Sequence, residues 1–454
     1  LGVGEPASKT GHDPDHVSKL LCVVAYFLMR HIRGIFSRSG RRKLSSAVLV
    51  GAVVGAGLVV ATPQADAATD FYTPPARFAN APGSVIRSEA SPLLLQIPGM
   101  ANQWPGTAKR IMYTSRYQDG KPAAVTGTVV EPTAPWRGKG HRPTVVVGPG
   151  TVGQADNCAP SKMMAFPMSV DITKPSIGVN YTAPEMYYLL LQGVRVVVTD
   201  YIGLGTPGIH TYVNRAETGH AMLDAARAAL RLAGAPTNAP VGFAGYSQGG
   251  GAAASAAELA STYAPELNVR GTYAGAPPAD LAKVIPAIDG STIAGAIGFA
   301  INGLMARYPN VDRVVQRETN AAGKGALHKI SQQCIGDIIL SFAFQRTQNW
   351  TRSGETLSAL INRYPDVQKV VGEQRIGRYK PNAPVFLEGG VADDVIPYGQ
   401  VAQLARDWRA QGANVHFVAN PTPPILTKTI VNHVVPMLET LLPGLEFLMA
   451  QLNR

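Results

Sequence analysis

An α/β fold, with a mostly parallel central sheet and a late block of inserted helices, is predicted by three observations. Short β-rich runs alternate with helical segments from about residue 108 to 275, and again from 378, which is the rhythm of βαβ units. One run, residues 241–246, passes through Gly245-Tyr246-Ser247-Gln248-Gly249 straight into an Ala-rich helix. Residues 278–377 carry helical patterns but no convincing buried strand. That interval is too long for a crossover and reads as a helical cap over the carboxyl edge of the sheet.

Composition sets the outer limits. At 454 residues, 46% hydrophobic and 16% charged, the chain is too apolar to be disordered. Three cysteines exclude a disulfide-dense scaffold and a multi-cysteine zinc module. His210 and His220 flank a helix start but lack a spaced set of carboxylate partners, so no metal site is expected. No phosphate loop or dinucleotide fingerprint follows the first strands, so no cofactor is expected either.

Residues 1–67 read as an N-terminal extension and a secretory signal. Arg38, Arg41, Arg42 and Lys43 precede an apolar run, residues 47–61, and Ala65-Asp66-Ala67 gives an A-x-A cleavage pattern. The run falls short of the ~20 residues a spanning helix needs. Arg41-Arg42 leaves twin-arginine export open beside the general route. Met29, just ahead of Arg30-His31-Ile32-Arg33, makes a more natural start than the acidic and polar residues 1–28. Setting aside the leader's eight basic and four acidic residues leaves 33 and 26, and the net charge falls from +11 to +7. That charge is spread, so nucleic-acid binding is not expected. The remaining cysteines, Cys158 and Cys334, are either one pair in an oxidising compartment or two buried thiols.

The core then divides in two. Residues 68–277 form its first part, with an antiparallel start (108–115 and 123–130) and strands at 143–148, 194–200, 241–246 and 269–275. Helices are expected at 185–192, 217–232 and 249–263. The stretch 285–305 is strongly apolar but broken by Asp289, Asn302 and glycines, and reads as an ordinary buried helix or one that lines the substrate site, not as a membrane span. Residues 378–454 complete the core with strands at 385–389 and 415–419 and a last helical segment.

The chemistry centres on Ser247. A G-x-S-x-G string alone is weak evidence; a buried strand before it and a helix after it make it the strained nucleophile elbow of an α/β-hydrolase fold. A serine hydroxyl needs a base, and the base needs an orienting carboxylate. In this fold they follow in the order Ser, Asp or Glu, His. His416 lies inside a predicted strand and reads as a packed histidine. His433 follows the loop Asn420-Pro421-Thr422-Pro423-Pro424 and opens the last helix, where a base reaches over the sheet edge. Asp393 and Asp394 both follow strand 385–389. The pattern Asp393-Asp394-Val395-Ile396-Pro397, an acid, one variable residue, two apolar residues and proline, selects Asp393. Asp394 is then a solvated or helix-capping neighbour. The N–H of Gln248, the residue after the nucleophile, is one expected oxyanion donor.

These residues are similar to the secretory lipase family, α/β-hydrolases that include the fungal lipase A type and actinobacterial secreted homologues. The resemblance rests on Asn157-Cys158-Ala159-Pro160-Ser161, Asp200-Tyr201-Ile202-Gly203-Leu204-Gly205, the elbow, Tyr263-Ala264-Pro265-Glu266-Leu267-Asn268, Asp393–Tyr398 and Asn432-His433. It implies a helical cap between the last strands and a bridge between Cys158 and Cys334. It also implies a second oxyanion donor from the loop at Asp200. The general hydrolase expectation is instead an N–H near Gly150-Thr151, which would leave Asp200 as a turn cap; the family register selects Asp200. The implied activity is hydrolysis of lipid or other hydrophobic acyl esters by a secreted monomer that makes transient contact with a lipid surface. A short-chain esterase, an acyltransferase and a non-catalytic binding protein of the same fold are the alternatives.

Overall fold

The computed structural model describes residues 70–93, 104–165, 168–171 and 176–454. The expected leader, its start and its cleavage pattern lie outside the described residues. The strands are β1 (Val85–Ser91), β2 (Gly106–Arg116), β3 (Pro122–Pro132), β4 (Thr144–Gly148), β5 (Met168–Asp171), β6 (Ser176–Val179), β7 (Arg195–Thr199), β8 (Pro240–Tyr246), β9 (Asn268–Gly275), β10 (Val385–Gly390) and β11 (Val415–Asn420). Nine of them form one sheet in the order β1-β2-β3-β7-β4-β8-β9-β10-β11, and β5 and β6 pair separately. From β1 to β7 neighbours are antiparallel, and from β7 to β11 they are parallel. Strands β1, β5 and β6 are not among those expected from the sequence.

The central strands are apolar on both faces because both faces are covered. β4 and β7 each carry three consecutive valines and are buried throughout. Side chains alternate across a strand. Val146 therefore joins a cluster with Ala225 and Met222 of helix α2 (Arg215–Leu232) and Ala252 and Ala256 of helix α3 (Gln248–Tyr263). Val145 and Val147 face the other way. They meet Met186 and Leu189 of helix α1 (Ala183–Leu191) and, at the far end of the chain, Leu445 and Leu448.

Between β9 and β10 the chain builds seven helices and no strand of the sheet. They are α4 (Leu281–Ile288), α5 (Ala296–Met305), α6 (Pro309–Glu318), α7 (Ala321–Ile330), α8 (Ile335–Phe342), α9 (Leu357–Arg363) and α10 (Pro365–Glu373). The apolar stretch 285–305 is thus two helices rather than one, broken at Gly290, whose φ of +72° suits glycine. Helix α11 (Tyr398–Ala410) follows β10, and α12 (Val431–Leu452) closes the chain. Inward-facing residues of α4 to α10 share one cluster with Leu387 of β10 and Trp408 of α11.

Cys158 and Cys334 form a disulfide. It joins the segment after β4 to the residue that precedes α8. Backbone bonds flank it, with Gln154 N–H donating to Gln333 O at 3.0 Å and Ile335 N–H to Val152 O at 2.8 Å. Gly153, at φ +138°, lies so close that a Cβ would sit 2.5 Å from Cys334 Cα.

Strand order explains where a site can form. The chain leaves β4 for β7 on one side and then crosses to β8 on the other. The loops after β4, β7 and β8 therefore meet at the carboxyl edge, at the topological switch point where open α/β sheets bind ligands.

The bridge spans 176 residues of sequence. Cys158→Ser/Cys334→Ser is expected to lose about 2–5 kcal/mol of stability, because it closes a long loop of the unfolded chain. Denaturant unfolding measures the loss, and a thiol count on unfolded, unreduced protein checks the pairing. Cys158 and Cys334 should react only after reduction.

Candidate active site

Ser247 sits between β8 and α3 with φ 58° and ψ −122°. A non-glycine residue rarely adopts such a backbone, which costs on the order of 1–3 kcal/mol and persists only when neighbours enforce it. The neighbours are on both sides. Ser247 N–H donates to Gly275 O at 2.9 Å, and Gly251 N–H donates to Ser247 O at 2.9 Å. The start of α3 wedges between the ends of β4 and β9. A Cβ on Gly249 would lie 1.9 Å from Gly148 O, and one on Gly250 2.0 Å from Gly275 O. The motif glycines are required by this contact.

Asp393 and His433 meet. Asp393 Oδ2 lies 2.7 Å from His433 Nδ1, and both residues are buried. The other oxygen, Oδ1, accepts the N–H groups of Val395 and Ile396, each at 2.9 Å. That double acceptance is what the Asp-x-apolar-apolar pattern encodes, since the turn fixes the carboxylate. A carboxylate only accepts, so the shared proton sits on Nδ1 and Nε2 is the lone-pair nitrogen. His433 Nε2 is buried and has no hydrogen-bond partner among the described residues. Asp394 works differently. Its Oδ2 accepts from Lys428 N at 2.5 Å and Asn432 Nδ2 at 3.2 Å. It fastens the loop ahead of His433 rather than capping a helix. Asn432 Oδ1 completes the fold-back by accepting from Ile425 N and Leu426 N. Tyr246, the variable residue before Ser247, was not singled out in the sequence; its hydroxyl donates to His433 O at 2.8 Å.

His416 belongs elsewhere. It is exposed on the edge strand β11, with its ring 5.9 Å from Phe447 and stacked on it, not packed inside a sheet face.

Asp200, the second oxyanion donor implied by the resemblance, is engaged by other partners. Its N–H donates to Thr126 O at 2.8 Å. Its carboxylate accepts from Ser161 N at 2.8 Å, from Ser161 Oγ and from Thr126 Oγ1 at 2.6 Å. Nothing on Asp200 is left to donate to an oxyanion. Burial raises its pKa, opposed by the Ser161 and Thr126 donors. The Asn-Cys-Ala-Pro-Ser and Asp-Tyr-Ile-Gly motifs are thus hydrogen-bond partners of each other. Gln248 N–H, at the first position of α3, has no intrahelical acceptor. Thr151 borders the same pocket as Ser247 and Gln248.

That pocket is otherwise walled mostly by apolar side chains, among them Ile288, Ile293, Val395 and Ile396. A second space with an apolar lining lies among the inserted helices. The two share Leu281, Ile285, Ile297 and Ala300 as walls. Among the described residues no group of three or more His, Cys, Asp or Glu side chains could hold a metal ion.

A family model described as secretory lipase matches residues 170–439, more than half of the chain. The chain belongs to the secretory lipase family. It is a carboxylic ester hydrolase of that family, with the α/β-hydrolase fold. It is 29% identical over 357 residues to a probable inactive lipase of Mycobacterium tuberculosis, covering 76% of this chain and 75% of that protein. It is 28% identical over 363 residues to a secreted triacylglycerol lipase of Malassezia restricta, covering 78% and 74%. The fold is also that of Candida antarctica lipase A in its closed state, with a TM-score of 0.71, 23% identity, and 85% and 86% of the two chains covered.

Two expectations follow from the buried carboxyls. Asp200→Asn is expected to lower stability by about 1–3 kcal/mol, by presenting an amide donor to Ser161, with kcat within about twofold. Denaturant unfolding measures the loss. Glu388 of β10 is fully buried, and among the described residues neither of its carboxyl oxygens has a well-formed hydrogen bond, the Ala276 N–H being its nearest opposing influence. Burial, and then the nearby Asp393, pushes its pKa up to about 8 from 4.5. Between those values the folded protein keeps a proton that the unfolded chain releases. Stability therefore falls as pH rises through that window, by up to ~1.4 kcal/mol per pH unit. Glu388→Gln should flatten the fall in urea unfolding measured from pH 5 to 8.

Proposed function

We propose that this family member is an exported serine esterase acting on hydrophobic acyl esters through an acyl-enzyme on Ser247. One observation carries the reading. The Asp393–His433 pair leaves Nε2 bare and buried, and its ring lies 5.0 Å from that of Tyr246, the residue that enters the strained elbow turn at Ser247.

The chemistry runs in two halves. His433 Nε2 removes the Ser247 hydroxyl proton as Oγ bonds to the ester carbonyl carbon, and Asp393 stabilises the imidazolium. Negative charge develops on the carbonyl oxygen, where Gln248 N–H and the backbone near Thr151 are the donors. Collapse breaks the bond to the alcohol, which leaves with the proton from His433. Water then repeats the sequence against the acyl group and frees Ser247.

The apolar walls beyond Ser247 favour a hydrophobic acyl group, and the adjoining space among the inserted helices continues that apolar lining in the direction a longer chain would take. In this reading residues 278–377 are a cap over the site, and the core is 68–277 with 378–454. The disulfide and the family's secretory character support export, with the 1–67 leader removed. The presence of Ser247, Asp393 and His433 together favours catalysis over the inactive state named for the mycobacterial relative.

The test is kinetic. Ser247→Ala should abolish hydrolysis of p-nitrophenyl esters of every chain length, and His433→Ala should cost ~10³-fold or more in kcat. Ala300→Trp, placed in the wall common to both spaces, should cut long-chain ester turnover at least tenfold while sparing short esters. Equal rates for Ser247→Ala and the parent enzyme would end the serine mechanism. Unchanged long-chain turnover in Ala300→Trp would end the chain-binding role.

A further inference from the structure

Behind the site lies a histidine that the reaction above does not use. His210 is wholly buried in the loop after β7. A buried imidazole is costly unless both ring nitrogens are satisfied, and here both are. Nδ1 lies 3.1 Å from Ile202 O, an acceptor, so Nδ1 carries the proton. Nε2 is then the acceptor, 3.0 Å from the side-chain Nε2 of Gln248, which donates to it. The ring is stacked on Tyr201 at 5.7 Å and meets Tyr212 edge-on at 6.1 Å. Its surroundings thus fix both tautomer and ring plane, and burial lowers its pKa to about 4.

Gln248 is the residue whose N–H faces the developing oxyanion in the reading above, on which this inference rests. Its N–H belongs to the peptide that leaves the strained Ser247. A loose side chain here would let that peptide relax, and would bring a competing amide into the pocket. Instead the amide is turned back and held. Two residues on, Tyr212 holds the opposite wall, with its hydroxyl 2.7 Å from Thr151 Oγ1. The segment around His210 is itself anchored, because His210 O accepts from Gln154 Nε2 at 2.9 Å.

We propose that His210 is a positioning residue that aims the Gln248 main-chain N–H at the oxyanion through the Gln248 side-chain amide. It touches no substrate atom. Its effect belongs to the transition state, so it moves kcat and leaves KM alone.

The test uses the purified enzyme on a short p-nitrophenyl ester. His210→Phe keeps an aromatic ring between Tyr201 and Tyr212 and removes the acceptor. It should lower kcat about tenfold, a fraction of the 10²–10³ lost with a whole oxyanion donor, with KM within twofold. Gln248→Ala should match it. The double variant should be no slower than the slower single, because the two act as one unit. His210→Gln, which restores an acceptor, should recover most of the loss. Parental kcat in His210→Phe, a change in KM alone, or losses that multiply in the double variant would each overturn the proposal. If His210→Phe does not fold, Gln248→Ala with parental kcat overturns it. Ser247→Ala separates the two levels. If that variant stays active, the serine mechanism itself fails. If it is dead while His210→Phe is unimpaired, only the role of His210 fails.

Discussion

The turn at Ser247 is the constraint around which the rest of the molecule is arranged. A residue at φ 58° and ψ −122° cannot hold itself there. It is held because α3 is driven between the ends of β4 and β9, with glycine hydrogens against two carbonyl oxygens. That close approach requires β8 to lie between those strands and all three to be parallel, which the sheet order supplies. It also requires the valine-rich strands to be covered on both faces so that their ends cannot drift. The sheet, its helices and the elbow therefore stand or fall together.

Three buried carboxyls show how environment assigns work. Asp200 is saturated by donors and fastens two loops. Asp393 divides its oxygens, one to a turn and one to His433. Glu388, on the strand that leads to Asp393, has no well-formed hydrogen bond among the described residues, and burial raises its pKa to about 8. The residue type alone does not separate these cases. The count of donors within reach does.

Much of this was legible in the sequence because it is local. Runs of valine announce β4 and β7, glycines around Ser247 announce the elbow, and the apolar pair after Asp393 selects it over Asp394. Strands β1, β5 and β6 were missed for physical reasons. β1 lies at the sheet edge with polar residues such as Arg87, Ser88 and Glu89, and β5 and β6 have four residues each, so neither period nor apolarity marks them. The fate of Asp200 depends on Ser161 and Thr126, 39 and 74 residues away in sequence. His210 gave no local sign of its contact with Gln248, 38 residues on. Long-range pairing of single polar atoms leaves no periodic trace in a sequence.

The disulfide also divides the inserted segment. In the unfolded chain the residues between β9 and β10 form one long loop, tied only where it joins those strands. Cys334, bonded to Cys158 beside β4, splits that loop in two. Even before the helices pack, the start of α8 stays tethered to the segment that follows β4, and each half of the insertion has less chain to order.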